Sequence, residues 1–158
     1  MSHAWFVTGT DTDCGKTEVS VALIHALQEH GTVAGFKPIA AGCENVNGEW
    51  RNQDAIKLQA ASTPTPDYKT VNPIALPDAI APHIAAKNQQ QTLAIDALTP
   101  HFKQLQQQYD NVIVEGAGGW RVPVNIETQE WFSDLPRAFG IPVILVVGLK
   151  LGCINHAM

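Results

Sequence analysis

The sequence predicts an α/β fold: a parallel sheet flanked by helices, in three layers. Three observations predict it. Short apolar runs alternate with helical segments along the chain. The runs, such as "AWFVT" and "PVILVVG", are continuously apolar, as strands buried on both faces are. Polar, glycine-bearing segments then follow the strands: "GTDTDCGKT", "KPIAAGCE", "EGAGG" and "GLKLGC". Open α/β sheets bind their ligands beyond the carboxyl ends of their strands.

The elements justify this reading in order. Residues 4–8 form the first strand, bounded by Gly9. Residues 16–30 read as a helix with Val19, Leu23, Ala26 and Leu27 on one face and Gly31 as its stop. Residues 32–38 make a second strand, ended by Pro38. A long loop follows to about Gln53, and a loop of that length is more often functional than idle. Residues 54–61 are a short helix. Residues 62–91 carry five of the ten prolines and are expected to be irregular. Leu98, Phe102, Leu105 and Tyr109 mark one face of a helix over roughly 93–108. "NVIVEGAGG" at 111–119 is a third strand running into a glycine loop. "WFSDLPRAFG" reads as a short helix interrupted by Pro136, and residues 142–148 are the fourth and most apolar strand. No internal repeat appears.

At 158 residues, 1–158 reads as a single domain with a sizeable core. The chain stops just after a buried-type strand, which suggests a piece of a longer protein. A formal charge of −5 and scattered lysines and arginines argue against a nucleic-acid partner. Cys14, Cys43 and Cys153 are far apart and odd in number, so neither a zinc pair nor a disulfide framework is expected, and a cytoplasmic location is the simplest. No apolar run is long enough to span a bilayer, so no membrane association is expected. The six histidines show no metal spacing, and the four tryptophans read as packing.

The chemistry sits in the strand-end loops. "GTDTDCGKT" is close to the phosphate loop G-x-x-x-x-G-K-[ST], with one extra residue between its glycines. Its backbone amides and the following helix start would cradle phosphate. Lys16 would reach the terminal phosphates, and the Thr17 hydroxyl would meet Mg²⁺. The alternative is a plain strand-turn-helix with an exposed lysine. Asp11 and Asp13 read as carboxylates that bond turn amides or cap the helix, and beside phosphate they also hint at a cationic substrate. Glu115, at a strand end, is either a Mg²⁺ ligand or a solvated residue of a glycine turn. Asp54 reads, on spacing alone, equally as an ordinary helix-start carboxylate. Lys37 either points into the same crevice as Lys16, where much negative charge must be held, or is a strand-edge lysine.

Taken together, "FVTGTDTDCGKT", "GFKPIAAG", "RNQDA", "VNP", "PHIAA", "VIVEGAGGW" and "PVILVVGLKLGCINHAM" resemble the dethiobiotin synthetase family, in family order and over nearly the whole chain. The longer loop spacing is itself the family's variant. The resemblance implies a P-loop NTPase-like fold and an ATP- and Mg²⁺-dependent cyclo-ligase. It would convert 7,8-diaminononanoate and CO₂ (or bicarbonate) to a cyclic urea, with ADP and phosphate as co-products. It implies Lys16 and Lys37 as catalytic residues. It implies nucleotide contacts from Thr12, Asp13, Cys14, Gly15, Lys16, Thr17 and Glu18, and from Asp54, Glu115, Gly116, Ala117 and Gly118. Thr17, Asp54 and Glu115 would hold Mg²⁺. Substrate would meet Thr12, Lys37 and Ala41, and the Gly152, Cys153, Ile154 and Asn155 segment of a neighbouring subunit in a homodimer. Family members extend further, through the elements that recognise adenine.

Three positions depart from the family pattern. Asp13 and Cys14 stand where Glu and Val are common. Ala41 replaces a small hydroxyl residue, a loss of at most one hydrogen bond worth about 1 kcal/mol. Two rivals share this architecture. A partitioning-type switch ATPase would carry an early lysine in the loop, where Gly9 and Thr10 stand. A cobyrinate amidase-type synthetase is disfavoured by "KLGCIN".

Overall fold

The computed structural model describes residues 2–158. Strand β1 (His3–Gly9) leads through the glycine loop into helix α1 (Lys16–Leu27), which a 3₁₀ turn extends to His30. Strand β2 (Val33–Phe36) follows, then β3 (Ile39–Ala40) and a hairpin of β4 (Glu44–Val46) and β5 (Glu49–Arg51). Helix α2 (Gln53–Ala61), the short helix α3 (Tyr68–Val71), strand β6 (Ile74–Ala75) and helix α4 (Pro82–Asn88) lead to the long helix α5 (Ile95–Gln108). Strand β7 (Asn111–Glu115) precedes a hairpin of β8 (Pro123–Asn125) and β9 (Glu130–Trp131). Helix α6 (Leu135–Phe139), strand β10 (Val143–Val146) and helix α7 (Cys153–Ala157) complete the order.

The main sheet has four parallel strands in the order β10-β1-β7-β2. Strand β1 lies inside it, with β7 on one side and β10 on the other. The period of two along each strand divides the core into two halves. Phe6, Phe36, Val112 and Val114 face one cluster with Leu98, Phe102 and Leu105 of α5 and Leu135 of α6. Val7, Val33 and Ile113 face the other, with Ile24 of α1 and Ala55 and Leu58 of α2. Helices therefore cover both faces, and the three-layer α/β expectation holds. Phe102 and Phe139 stack at 4.3 Å between centroids, joining α5 to α6.

Several boundaries and environments differ from the sequence reading. The face that α1 buries is Lys16, Ser20 and Ile24, with Leu23 and Leu27 only partly covered and Ala26 exposed. The long loop to Gln53 contains β3 and the β4–β5 hairpin. The hairpin turns at Asn47 and Gly48, both with positive φ (54° and 88°), the geometry that an Asn-Gly pair favours. The proline-rich stretch holds α3, β6 and α4. Its prolines border elements and do not dissolve them: Pro82 starts α4 at a position that needs no N–H. Pro136 likewise opens α6 and does not interrupt it. Strand β10, apolar throughout, is an edge strand in which Val143 and Leu145 are exposed.

Candidate active site

The carboxyl ends of β1, β2 and β7 open onto one cavity of about 690 Å³. The phosphate loop supplies Thr12, Asp13, Gly15, Lys16, Thr17 and Glu18 to its wall. Lys37 enters from the end of β2, Ala41 from the end of β3, Asn52, Asp54 and Lys57 from the start of α2, and Ala117, Gly118 and Val122 from the loop after β7. Residues 79–81 and Pro82, the first residue of α4, close the far side. The structure thus gathers residues scattered from 12 to 122 into one crevice beside the central strand.

Gly15 is the N-cap of α1 and sits at φ 97°, a left-handed conformation that glycine adopts without strain. No side chain caps this helix, so its first-turn N–H groups remain available to an oxygen ligand. The acidic pair divides its work. Asp11 accepts from the Thr12 N–H at 3.0 Å and pairs with Lys150, and this lysine holds the Asp11 carboxyl below its ordinary range. Asp13 is exposed with φ 57° and lines the cavity. Lys16 is nearly buried, and its Nζ donates to the Asp11 carbonyl at 2.8 Å.

The floor is a buried charge cluster. Glu115 is fully buried, and its Oε1 accepts from Lys37 Nζ at 2.7 Å and from the Thr17 hydroxyl at 2.9 Å. Lys37 Nζ also lies 3.2 Å from Asp54 Oδ2 and 3.3 Å from the Gly116 carbonyl. Burial pushes the Lys37 ammonium down, but the Glu115 and Asp54 charges outweigh it and raise its pKa above the ordinary value. Burial likewise pushes Asp54 up, and Lys37 outweighs it, leaving the carboxyl below its ordinary range. A buried lysine stays charged only with such partners.

One oxygen of this cluster is left over. Glu115 Oε2 is buried and has no hydrogen-bond partner among the described residues. With the Thr17 hydroxyl and the half-exposed Asp54 carboxylate it forms an all-oxygen donor set. Mg²⁺ takes one or two protein carboxylates and completes its shell with water and phosphate. The residues present therefore fit that ion. Three or more His, Cys, Asp or Glu side chains grouped for a metal occur nowhere among the described residues.

Some expected residues lie elsewhere. Cys14 turns away from the cavity, with its Sγ 3.6 Å from the Val146 carbonyl. Glu115 and Gly116 lie behind the wall. The Gly116 N–H is taken by the Val7 carbonyl at 3.0 Å. Gly152, Cys153, Ile154 and Asn155 do not line the cavity of their own chain. Their segment starts beside the phosphate loop, because the Gly148 N–H donates to the Thr10 hydroxyl at 3.1 Å and Lys150 reaches Asp11.

Sequence reasoning missed Asn52, Lys57, Lys150 and the 79–82 wall. Asn52 had a signal: an Asn immediately before a helix is a favoured cap. Its Oδ1 accepts from the N–H groups of Asp54 and Ala55 at 3.0 and 3.3 Å. Lys57 lies one helical turn after Asp54 and pairs with Glu18 at 2.7 Å across the cavity mouth. Lys150 is legible only once β10 is placed beside β1.

Comparison with known proteins agrees with this geometry. A family profile described as an AAA domain matches residues 3–158. The ATP-dependent dethiobiotin synthetase BioD of Xanthomonas oryzae pv. oryzae (strain PXO99A) is 52% identical over 155 residues, covering 98% of this chain and 68% of that protein. The protein of the same name from Xylella fastidiosa (strain M12) is 53% identical, with the same coverage. Among solved structures, the signal recognition particle receptor FtsY from Elizabethkingia anophelis aligns with 99% of this chain and 46% of its own, at TM-score 0.48 and 17% identity. The nucleotide-loop fold and an identity of 52–53% over 98% of the chain have one meaning: the chain belongs to the ATP-dependent dethiobiotin synthetase family of P-loop α/β enzymes.

Proposed function

We propose that this protein closes 7,8-diaminononanoate and CO₂ into the cyclic urea dethiobiotin, at the expense of ATP and with Mg²⁺. The observation that carries this reading is the placement of Lys37. Its ammonium stands at the floor of the phosphate-loop cavity, between Glu115 and Asp54, where a phosphoryl group and a carbamate would meet.

The reaction runs in three balanced steps. One amine of the diamine adds to the carbon of CO₂ and loses a proton, giving a carbamate. A carbamate oxygen attacks the γ-phosphorus and ADP departs. The second amine then attacks the carbamate carbon, loses a proton and expels phosphate as the ring closes. Lys16 and Lys37 stabilise the negative charge that spreads over the transferring group. For Lys16 this requires release from the Asp11 carbonyl, a short side-chain swing toward the cavity it already lines. Gly15 and the first turn of α1 hold phosphate oxygens, with Ala117 and Gly118 across from them. Thr17, Asp54 and Glu115 would hold Mg²⁺, which when bound neutralises phosphate charge and orients the γ-phosphoryl group. Thr12 and Asp13 face the same space and suit an ammonium group of the diamine. Ala41 contributes only shape there. Cys14 and Gly116 act through their placement of neighbouring backbone, and Glu18 borders the mouth.

The anionic end of the substrate is assigned to the 152–155 segment of a second subunit, so the working unit is a homodimer in the cytoplasm. No helix among the described residues is long and apolar enough to cross a membrane. The test is phosphate release from ATP by the full-length enzyme. Release is expected only when Mg²⁺, the diamine and bicarbonate are all present. Release at a similar rate without diamine and bicarbonate would replace this reading with a nucleotide switch.

A further inference from the structure

The floor of the cavity is held from behind by two buried polar side chains that do not line it, Tyr68 and Asn72, and by Asn52 at its wall. Tyr68, in α3, is almost fully buried, and its hydroxyl is used twice. It accepts from the Asn52 backbone N–H at 2.7 Å and donates to Asn72 Oδ1 at 3.0 Å. Asn72 is buried as well, and its Nδ2 donates to the Lys37 carbonyl at 2.7 Å and to the Ile74 carbonyl at 3.1 Å. Asn52 caps α2 and fixes the Asp54 N–H. Its own Nδ2 donates to the Ala41 carbonyl at 3.3 Å.

The directions in this chain of bonds are determined. A backbone N–H can only donate, so the Tyr68 oxygen must accept from Asn52. Its single proton is then free for Asn72, which presents its oxygen to the phenol and its nitrogen to Lys37. Every donor meets an acceptor, and no alternative orientation of the Asn72 amide satisfies both neighbours. Such a fully matched buried network holds its members rigidly.

We propose that Tyr68 is a positioning residue of the active site, its hydroxyl setting the spacing between the strand end that carries Lys37 and the helix start that carries Asp54. This rests on the reading above that Lys37 and Asp54 act on the phosphoryl group and its metal. One phenol links them because each is anchored to a backbone group that Tyr68 reaches directly or through Asn72. Burial raises the pKa of the Tyr68 phenol, so it keeps the proton that Asn72 requires. Catalytic groups need placement within about 0.5 Å, and a misplacement of about 1 Å can cost roughly 100-fold.

The test compares Tyr68→Phe with Tyr109→Phe in the full-length enzyme. Tyr109 is also buried; it loses one hydroxyl bond, to the Pro64 carbonyl at 2.9 Å, where Tyr68 loses two, and neither Tyr109 nor Pro64 lines the cavity. Tyr68→Phe is expected to lower kcat by about 10- to 100-fold with KM for ATP within about twofold. Tyr109→Phe is expected to leave both unchanged. Asn72→Ala should lower kcat similarly, and the double variant should fall little further than either single one. Equal losses in both tyrosine variants, a Tyr68→Phe kcat within about twofold of wild type, or fully additive losses would each overturn the proposal. A crystal structure of Tyr68→Phe supplies an arm that does not need turnover. The Lys37–Asp54 pair should open by about 0.5 Å or more, and an unmoved pair would overturn the positioning role. If the wild-type enzyme shows no diamine-dependent phosphate release, the proposed reaction falls, and this structural arm still judges Tyr68.

Discussion

Lys37 answers to two carboxylates and one carbonyl, and that single fact sets what its replacement does. Gln at position 37 keeps a donor but removes the charge facing Glu115. Turnover of Lys37→Gln is expected to fall by about 100-fold or more, the scale of losing one charge-stabilising donor. Nucleotide affinity, set mainly by the phosphate loop, should change far less. Parallel measurement of kcat and of ATP binding checks this, and collapsed binding with intact turnover per bound ATP would reverse the assignment. Leaving Glu115 without its cation is also expected to cost stability, about 3–5 kcal/mol for a broken buried pair. The same pairing sets a pH window. Lys37 titrates above its ordinary value of 10.5, so its contribution is whole below that pH and is lost as pH rises through the folded value. Asp54 titrates below its ordinary 3.8, so its contribution is whole above that pH and is lost as pH falls through the folded value. Thermal midpoints of wild type and Asp54→Asn should therefore differ at neutral pH and converge in acid. A constant gap down to the acid limb would show that Asp54 is not held by its ion pair.

At the scale of the elements, the start of α2 carries more than its share. Asn52 caps the helix and ties it to Ala41, so Asn52→Ala is expected to cost about 1 kcal/mol. Equilibrium denaturation should show that loss, and turnover should fall with it because Asp54 is the second residue of the helix. A stability loss with unchanged turnover would separate the cap from the site. This element also shows what a sequence can and cannot disclose. The strands and the phosphate loop were legible because their signals are local: apolar runs, glycines and Gly-Lys-Thr in a row. The small elements between 39 and 91 were not. Strand β3 pairs with β6 across more than thirty residues, and two-residue strands leave no periodicity. The Asn47–Gly48 hairpin did carry a local signal, hidden by the expectation of one long loop without strands. The buried face of α1 was misread because Lys16 and Ser20, both polar, occupy it next to Ile24. Amphipathicity gives way there because Lys16, on that face, lines the cavity. Lys150 escaped for another reason: its partner, Asp11, lies at the far end of the chain.

The whole molecule is organised around β1, which has a covered face on either side and a strand at either edge. Phe6, on that strand, is fully buried in the cluster shared with α5 and α6. Phe6→Ala is expected to cost about 3–5 kcal/mol, as large aromatic truncations in cores do. Chemical denaturation should register it as a lower midpoint with an unchanged slope, and a loss under about 1 kcal/mol would mean that the cluster closes over the gap. The register of β1 also has a consequence for how the protein is made. Its His3 pairs with Asn111 and its Phe6 with Val143. On a ribosome adding roughly 5–20 residues per second, the first strand emerges and then waits about 7 to 28 seconds for its second neighbour. Throughout that interval the phosphate loop hangs from a strand with no finished sheet beneath it. The loop after β1 is translated long before β10, so the apolar "AWFVT" segment is made well ahead of the strands that bury it.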